Sequence, residues 1–336
     1  MAYRVNGKTF DTIDEYFDYM AESFDYTPYH HFFEKESVVS DGINLHVDVF
    51  TYDKNAPTVV LIPGTSLYSL CYVEMMYKIG VQGYNFVGFD PRGHGRSGGT
   101  KGDYTVSEII KDAENVIEYA RKKFNSKISV FGISQGGVAA FYLAAGGAKV
   151  QSVICQNFAD LTDEKTMKLA RHPNLSRYFK PLLVNFGQVF SDTQIPVNLY
   201  LNLENIKVKR FGNAKNFIDA DPLALKTVSL RAIRSLTTTP IPNPIEEIKI
   251  PVMVFQGTND SIFPLNYTQE IYDKLTCKKH FEIFEGMNHA LVTDNVLEVM
   301  PSIVNWLKQI YKPEKKASKN KSAVKKIKPL SKKSVA

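Results

Sequence analysis

Three residues in distant parts of the chain have the types and settings needed for nucleophilic catalysis, namely Ser134, Asp260 and His289. A serine hydroxyl is a weak nucleophile until a base removes its proton, and a carboxylate must hold the basic histidine in the right tautomer. We therefore expect covalent acyl transfer. In this scheme Ser134 is the nucleophile, His289 the general base and Asp260 the acid that orients the histidine.

Ser134 lies in the string Gly132-Ile-Ser134-Gln-Gly136, directly after the apolar run Ile128–Phe131. The run Val138–Ala145 follows and is rich in small, helix-forming residues. A Gly-x-Ser-x-Gly string between a strand and a helix is typical of a nucleophile elbow, in which glycines relieve the crowding of a sharp turn. The sequence therefore predicts that Ser134 is exposed at the carboxyl edge of a sheet.

Asp260 and His289 each follow a predicted strand near the end of the chain. Asp260 comes after the run Val252–Phe255, and His289 comes after the run His280–Phe284. In α/β folds the carboxyl ends of the strands form the ligand-binding edge, and Ser, Asp, His is one chain order of such triads. We therefore expect the two side chains to lie beside Ser134.

Acyl transfer also requires two donors for the developing oxyanion. The backbone amide of Gln135 is one candidate, because it follows the nucleophile at the start of a predicted helix. The second is the amide of Thr65 in the loop after the apolar run Thr58–Ile62, where Gly64 lets the backbone approach closely.

Most of the chain alternates between short apolar runs and amphipathic helical stretches. The runs lack polar alternation, which is typical of parallel strands buried on both faces. A capping box, Thr105-Val-Ser-Glu108, begins the clearest helix, and Asp41-Gly42 predicts a hairpin. The expected fold class is therefore α/β, with a mostly parallel central sheet flanked by helices.

The alternation breaks between about residues 159 and 248, where prolines separate amphipathic pieces such as Leu182–Phe190 and Leu223–Leu236. We interpret this stretch as an inserted helical cap. We therefore predict an N-terminal helical segment over residues 1–33, a core over 34–158 and 249–311, the cap over 159–248 and a disordered Lys-rich tail over 312–336.

The net charge of +6 is concentrated in the tail, because residues 312–336 contain ten lysines and one glutamate. Such a segment has too little apolar surface to fold. We interpret it as a solubilising appendage, and the alternative is weak contact with anionic lipid or nucleic acid. Three scattered cysteines, no apolar leader sequence and no membrane-length apolar run predict a cytoplasmic protein without a transmembrane segment.

Five motifs together resemble the α/β-hydrolases of the lysophospholipase and monoacylglycerol-lipase type. The resemblance implies that fold and a small ester substrate. The predicted cap is rich in Leu, Phe, Ile, Val and Tyr, which indicates an apolar acyl or alkyl group in that substrate. Two departures are that Pro63 stands where a histidine often precedes this glycine, and that the elbow reads Ile-Ser-Gln rather than His-Ser-Met. The motifs are Pro63-Gly64-Thr65, Asp90–Ser97, Gly132–Gly137, Gly257–Asp260 and Gly286–His289.

Other functions use the same residues or none of them. An acyltransferase, thioesterase, C–C hydrolase or peptidase would need the same triad, and only the pocket would distinguish them. A non-catalytic ligand-binding protein on this fold would need no triad. The sequence has no clustered metal-ligand motif and no nucleotide-binding glycine loop, so we expect no metal, no cofactor and no specific nucleic acid.

Overall fold

The computed structural model describes residues 3–5, 8–23, 26–186 and 188–312. The predicted tail, residues 312–336, therefore lies outside the described residues apart from Lys312. The strands in this part of the chain are β1 Tyr3–Val5, β2 Lys8–Phe10, β3 Glu34–Ser40, β4 Ile43–Phe50, β5 Thr58–Ile62, β6 Asn85–Phe89, β7 Ile128–Ile133, β8 Ser152–Gln156, β9 Gln194–Pro196, β10 Thr227–Ser229, β11 Val252–Gly257 and β12 Lys279–Phe284.

The centre of the fold is an eight-stranded sheet in the order β12-β11-β8-β7-β5-β6-β4-β3. Neighbours from β12 to β6 are parallel, whereas β4 and β3 add an antiparallel hairpin at one edge, as the Asp41-Gly42 turn predicts. The strand order reverses between β5 and β7, and such a switch point is where open α/β sheets bind ligands. These observations confirm the predicted fold class.

Helices cover both faces of this sheet. The sequence of β5 has no alternation of polar and apolar residues because both faces of the strand are buried. Val60 and Ile62 pack into the core on one face of the sheet, and Val59 and Leu61 pack into the core on the other. The α-helices of the described residues are α1 Ile13–Ser23, α2 Val73–Gly80, α3 Val106–Lys123, α4 Gln135–Ala145, α5 Pro173–Phe186, α6 Val197–Tyr200, α7 Ala214–Ala220, α8 Leu230–Thr238, α9 Leu265–Lys274, α10 Leu291–Asp294 and α11 Val296–Ile310.

Helices α3 and α4 pack on one face of the sheet, and α2 and α11 pack on the other. The start of α3 has the predicted capping box, in which Thr105 accepts from the amide of Glu108 and the Glu108 side chain accepts from the amide of Thr105. None of the helices in the described part of the chain combines the length and apolar character that crossing a bilayer requires.

Between β8 and β11, the described residues form four α-helices, α5 to α8, short 3-10 turns and one small antiparallel pair of strands, β9 and β10. The helices only partly coincide with the amphipathic pieces in the sequence, because α5 ends at Phe186 and α8 begins at Leu230. Residues 227–229 form β10 instead. Their extended conformation depends on pairing with β9, and the helical periodicity of the sequence does not predict this pairing.

The N-terminal segment consists of the hairpin β1–β2 followed by α1. The sequence predicts the helix but not the hairpin. Tyr16 on α1 donates a hydrogen bond to Asp221 at 3.0 Å, and Tyr68 of the core donates to the same oxygen at 2.8 Å. Asp221 is buried and follows α7, so one carboxylate joins the N-terminal helix, the core and the inserted stretch.

The Asp90–Ser97 loop is a buried, hydrogen-bonded turn. Arg96 forms ion pairs with Asp90 at 3.0 Å and with Asp48 at 2.5 Å, and Asp90 also accepts from the amide of Ser69 at 2.9 Å. Ser69 belongs to the segment that follows β5, the same segment that includes Gly64. The loop therefore helps to fix the backbone after β5.

His94 in this loop predicts a specific pH dependence of stability. Burial lowers the pKa of His94 to about 4, whereas an unfolded histidine titrates near about 6.5. Because the unfolded chain binds the extra proton first, the free energy of unfolding should fall as the pH drops from about 6.5 to about 4, by on the order of 2 kcal/mol.

The variant His94→Asn should lose less stability over this pH range, since it does not titrate. An asparagine amide can still donate toward the carbonyl of Arg92, which lies 2.9 Å from His94 Nδ1. Urea unfolding of both proteins at neutral pH and near pH 4.5 measures the difference. Equal losses in the two proteins would contradict the assignment to His94.

Candidate active site

Ser134 occupies a sharp turn between β7 and α4. Its backbone has φ 56° and ψ −116°, a conformation that residues other than glycine rarely adopt. A Cβ at Gly132 would clash with the carbonyl of Gly136, and a Cβ at Gly136 would clash with the carbonyl of Ile62. Both glycines of the elbow motif are thus required by contact between backbones, and the turn projects Ser134 from the carboxyl edge of the sheet.

The structure brings Ser134, His289 and Asp260 into one chain of hydrogen bonds. His289 Nε2 lies 3.0 Å from Ser134 Oγ, and His289 Nδ1 lies 2.8 Å from Asp260 Oδ2. The other carboxylate oxygen of Asp260 accepts from the amides of Ile262 at 2.8 Å and Phe263 at 2.9 Å. Every oxygen of the acid therefore has a partner, and its orientation is fixed.

The surroundings of Asp260 keep it ionised. Burial alone would raise its pKa, but the charge and hydrogen bond of His289 and two backbone amides outweigh burial and lower the pKa of Asp260 below its ordinary value. A carboxylate only accepts hydrogen bonds, so His289 Nδ1 must carry the proton. In the neutral imidazole, Nε2 is then the free base facing Ser134. The ring of Phe263 stacks on the imidazole with 5.8 Å between centroids, which restricts its rotation.

The two expected oxyanion donors belong to segments that meet at Ser134. Neither the Thr65 nor the Gln135 backbone N–H has a hydrogen-bond acceptor among the described residues. A Cβ on Gly64 would lie 3.4 Å from Ser134 Cβ, so the loop passes directly beside the nucleophile. The amide of Gly64 donates to the hydroxyl of Tyr72 at 3.3 Å, which fixes the loop from its other side.

The sequence did not reveal a link between the side chains of these two segments. The Gln135 carboxamide oxygen accepts from Thr65 Oγ1 at 2.6 Å and from the Tyr104 hydroxyl at 3.2 Å. In the sequence, Thr65 and Gln135 each stand beside a glycine, and nothing there predicts that their side chains meet. Their contact follows from the pairing of β5 with β7. It links the loop after β5 to the start of α4, beside Pro63, whose side chain offers no hydrogen bond.

A cavity of about 390 Å³ lies above Ser134 and His289. Its far wall is built by residues of the inserted stretch, and these are mainly aliphatic, such as Leu201, Ile206 and Ile218. The cavity lining in the described part of the chain contains no carboxylate side chain. The chemical groups around Ser134 therefore open into a mainly aliphatic space suited to an apolar group, with Lys180 as a cationic residue in its lining.

One group of potential metal ligands lies outside this cavity, on the N-terminal segment. Asp18 Oδ1 lies 2.7 Å from His31 Nε2 and 3.3 Å from His30 Nε2, and donor atoms of all three residues lie within 4.8 Å of one another. About half of the Asp18 and His31 side chains is exposed. None of the three lines the cavity, so we assign this group no part in the chemistry at Ser134.

The close packing at the elbow predicts the effect of Gly136→Ala. The new methyl group would meet the backbone carbonyls of Ile62 and Pro63, which cannot rotate away. We expect a loss of at least about 2 kcal/mol in the free energy of unfolding, measured by urea denaturation. Gly146→Ala is a matched control at the end of the same helix, where φ is −76°, and should change stability by about 0.5 kcal/mol or less. Equal effects of the two variants would contradict this account.

Comparison with known proteins identifies the family of this chain. A family model with the description Serine aminopeptidase, S33 (Hydrolase_4) matches residues 53–295. The chain is 24% identical over 278 residues to a monoacylglycerol lipase of Mycolicibacterium smegmatis, covering 79% of this chain and 93% of the relative. It is 22% identical over 259 residues to a non-heme chloroperoxidase of Burkholderia pyrrocinia, covering 74% of this chain and 92% of that protein.

Solved structures share the fold. The monoacylglycerol lipase of Paleococcus ferrophilus superposes with a TM-score of 0.65 at 24% identity, covering 79% of this chain and 99% of that one. A monoglyceride lipase of Saccharomyces cerevisiae gives 0.67 at 19% identity, covering 82% and 95%. The family match spans most of the sequence and includes Ser134, Asp260 and His289. The chain therefore belongs to the Serine aminopeptidase, S33 (Hydrolase_4) family and is a monoacylglycerol-lipase-like α/β-hydrolase.

Proposed function

We propose that this protein is a serine hydrolase that cleaves a carboxylic ester through an acyl-enzyme intermediate. The observation that carries the proposal is the unbroken chain of hydrogen bonds from Ser134 Oγ through His289 to Asp260, at 3.0 and 2.8 Å. This chain lies at the bottom of an apolar cavity. The monoacylglycerol lipase of Mycolicibacterium smegmatis, to which the chain is 24% identical, supports the same reaction class.

In the first half of the reaction, His289 Nε2 takes the proton of Ser134 as Oγ attacks the ester carbonyl carbon. The carbonyl oxygen becomes an oxyanion and receives hydrogen bonds from the amides of Thr65 and Gln135. Asp260 stabilises the imidazolium that forms. When the intermediate collapses, the bond to the alcohol breaks and His289 donates its proton to the leaving oxygen.

In the second half, a water molecule takes the place of the alcohol. His289 removes one proton from the water, whose oxygen attacks the acyl carbon, and a second oxyanion is held by the same two amides. The bond to Ser134 Oγ then breaks, Oγ recovers the proton from His289, and the carboxylic acid leaves. Each bond made or broken in this sequence uses the same three side chains.

The cavity supports an apolar acyl or alkyl group in the substrate. Burying such a group against aliphatic side chains stabilises the complex by roughly 25 cal/mol per Å² of apolar surface. An aminopeptidase would need an acidic partner for the substrate's ammonium group, and no carboxylate lines the described cavity. An ester is therefore favoured over a peptide with a free amino end, while acyl transfer and thioester cleavage would use the same residues.

The role of Ser134 can be tested with one variant. Ser134→Ala removes the nucleophilic oxygen and should abolish both hydrolysis of short p-nitrophenyl esters and labelling by a fluorophosphonate probe, a loss of at least about 10³-fold in turnover. Ser261→Ala is a suitable control, since Ser261 is an exposed serine beside Asp260, and should still be labelled. Persistent labelling of Ser134→Ala would refute the assignment of the nucleophile.

Three further proposals rest on the sequence. Residues 159–248 act as a cap over a core of residues 34–158 and 249–311, the protein is cytoplasmic, and the tail of residues 312–336 makes weak contact with anionic surfaces. The ten lysines of the tail support the last of these, since each contributes about 1 kcal/mol near an anionic membrane.

Deletion of residues 313–336 should separate the tail from catalysis. We expect turnover of a soluble ester to stay within about twofold of the full chain, because all triad and cavity residues precede residue 313. Binding to vesicles containing anionic lipid, measured by co-sedimentation at low salt, should fall. Loss of ester turnover on deletion would show that the tail has a role in the folded enzyme.

A further inference from the structure

A cluster of two histidines and one aspartate lies on the N-terminal segment, outside the active-site cavity. Asp18 belongs to α1, and His30 and His31 belong to the 3-10 turn Tyr29–Phe32 that leads into β3. One donor atom from each residue lies within 4.8 Å of the others, and within the described residues no other three histidine, cysteine or acidic side chains meet this closely. Two imidazoles and one carboxylate are a ligand set typical of divalent transition metals.

His30 has a ring nitrogen that lacks a hydrogen-bond partner in the described part of the chain. Its side chain is only 3% exposed, and Nε2 itself is buried. Asp18 Oδ1 is 3.3 Å away, yet the two atoms do not form a hydrogen bond. A buried polar atom without a partner is unfavourable and rare in native proteins. Two ligand atoms of one cation have this relation, because each aims at the ion rather than at the other.

The distances in the cluster fit a zinc ion. Zinc lies about 2.0–2.2 Å from nitrogen and oxygen ligands, so two ligands at tetrahedral corners are about 3.3 Å apart. His30 Nε2 and Asp18 Oδ1 have this separation, at 3.3 Å. His31 Nε2 lies 2.7 Å from the same oxygen and would move away by about 0.6 Å to match it. About half of the Asp18 and His31 side chains is exposed, which permits this shift and gives an ion access from solvent.

The surroundings hold the two imidazoles side by side. The rings of His30 and His31 have 4.1 Å between centroids, and the ring of Phe17 packs against His30 at 5.4 Å. Burial and the neighbouring His31 lower the pKa of His30 below its ordinary value. A metal-ligating histidine must be neutral. His30 therefore has the required charge state at neutral pH.

We propose that Asp18, His30 and His31 bind one divalent transition-metal ion of the zinc type, with water as the fourth ligand. The ion joins α1 to the turn before β3, which is the edge strand of the central sheet. It positions the N-terminal segment and takes no part in the chemistry at Ser134, because none of its ligands lines the cavity. An ion that binds only the folded chain stabilises that chain.

The ligand set does not form a motif in the sequence, because its members come from two elements. His30 and His31 are neighbours, but Asp18 precedes them on α1 and reaches them only through the packing of that helix. The expectation of no metal rests on clustered motifs, and a site assembled by packing falls outside it.

The test titrates Zn²⁺ into the full-length protein by isothermal calorimetry, after purification without a histidine tag and removal of metal with EDTA. We expect one Zn²⁺ per chain with micromolar or tighter affinity. Asp18→Asn and His31→Ala each remove an exposed ligand, so both variants should fold and should bind Zn²⁺ at least about tenfold more weakly. No binding to the wild-type protein, or unchanged binding in both variants, would overturn the proposal.

His280→Ala is the matched control. His280 Nε2 lies 2.9 Å from Glu282 Oε2, and the His280 side chain is 48% exposed against 52% for His31. No third ligand completes this pair within the residues that the structure describes. The control should bind Zn²⁺ like the wild-type protein. Equal weakening in His280→Ala and His31→Ala would indicate non-specific binding to surface histidines and would overturn the site.

Thermal unfolding provides a second measurement. Zn²⁺ in large excess over its dissociation constant should raise the Tm of the wild-type protein by at least about 2 °C, and it should not raise the Tm of Asp18→Asn. A rise that persists in Asp18→Asn and His31→Ala would place the ion elsewhere. Removal of metal should not change turnover of p-nitrophenyl esters, and loss of turnover would contradict a role outside the active site.

Discussion

The strained backbone of Ser134 is the constraint on which the rest of the site depends. A φ of 56° is unfavourable for serine, and it persists because β7, α4 and the end of β5 enclose the turn on all sides. The same packing that forces the turn brings the loop after β5 against Ser134. Strain, close backbone contact and the position of the two proposed oxyanion donors therefore have one structural cause.

The fold and the position of the triad could be predicted because they follow from local signals. The runs at β5, β7 and β11 are buried on both faces, so their sequences have no polar alternation and identify parallel strands. Residues that follow such strands meet at one edge of the sheet, whatever their separation in sequence. That rule alone brings Asp260 and His289 to Ser134.

The walls of the site could not be predicted in the same way. Tyr200 lies on the irregular path between β8 and β11 and lines the cavity, and Tyr104, in the loop before α3, contacts Gln135. No periodic pattern fixes the direction of the chain in either segment. The conformation of residues 227–229 depends on pairing with β9 rather than on their own propensity. Tertiary contacts of this kind decide substrate selectivity, and single-sequence patterns contain little information about them.

The carboxylate shared by Tyr16, Tyr68 and Asp221 has a consequence for how the molecule is divided. The matched family region begins at residue 53, yet Tyr16, which precedes it, is one of the two hydroxyl donors to Asp221. Cutting the chain at the family boundary would leave this buried acid with one hydroxyl donor fewer and would uncover the apolar contacts of α1 with Tyr68 and Leu70. The same cut would remove β3 and β4 from the central sheet, so the residues before the family boundary are part of the packed fold.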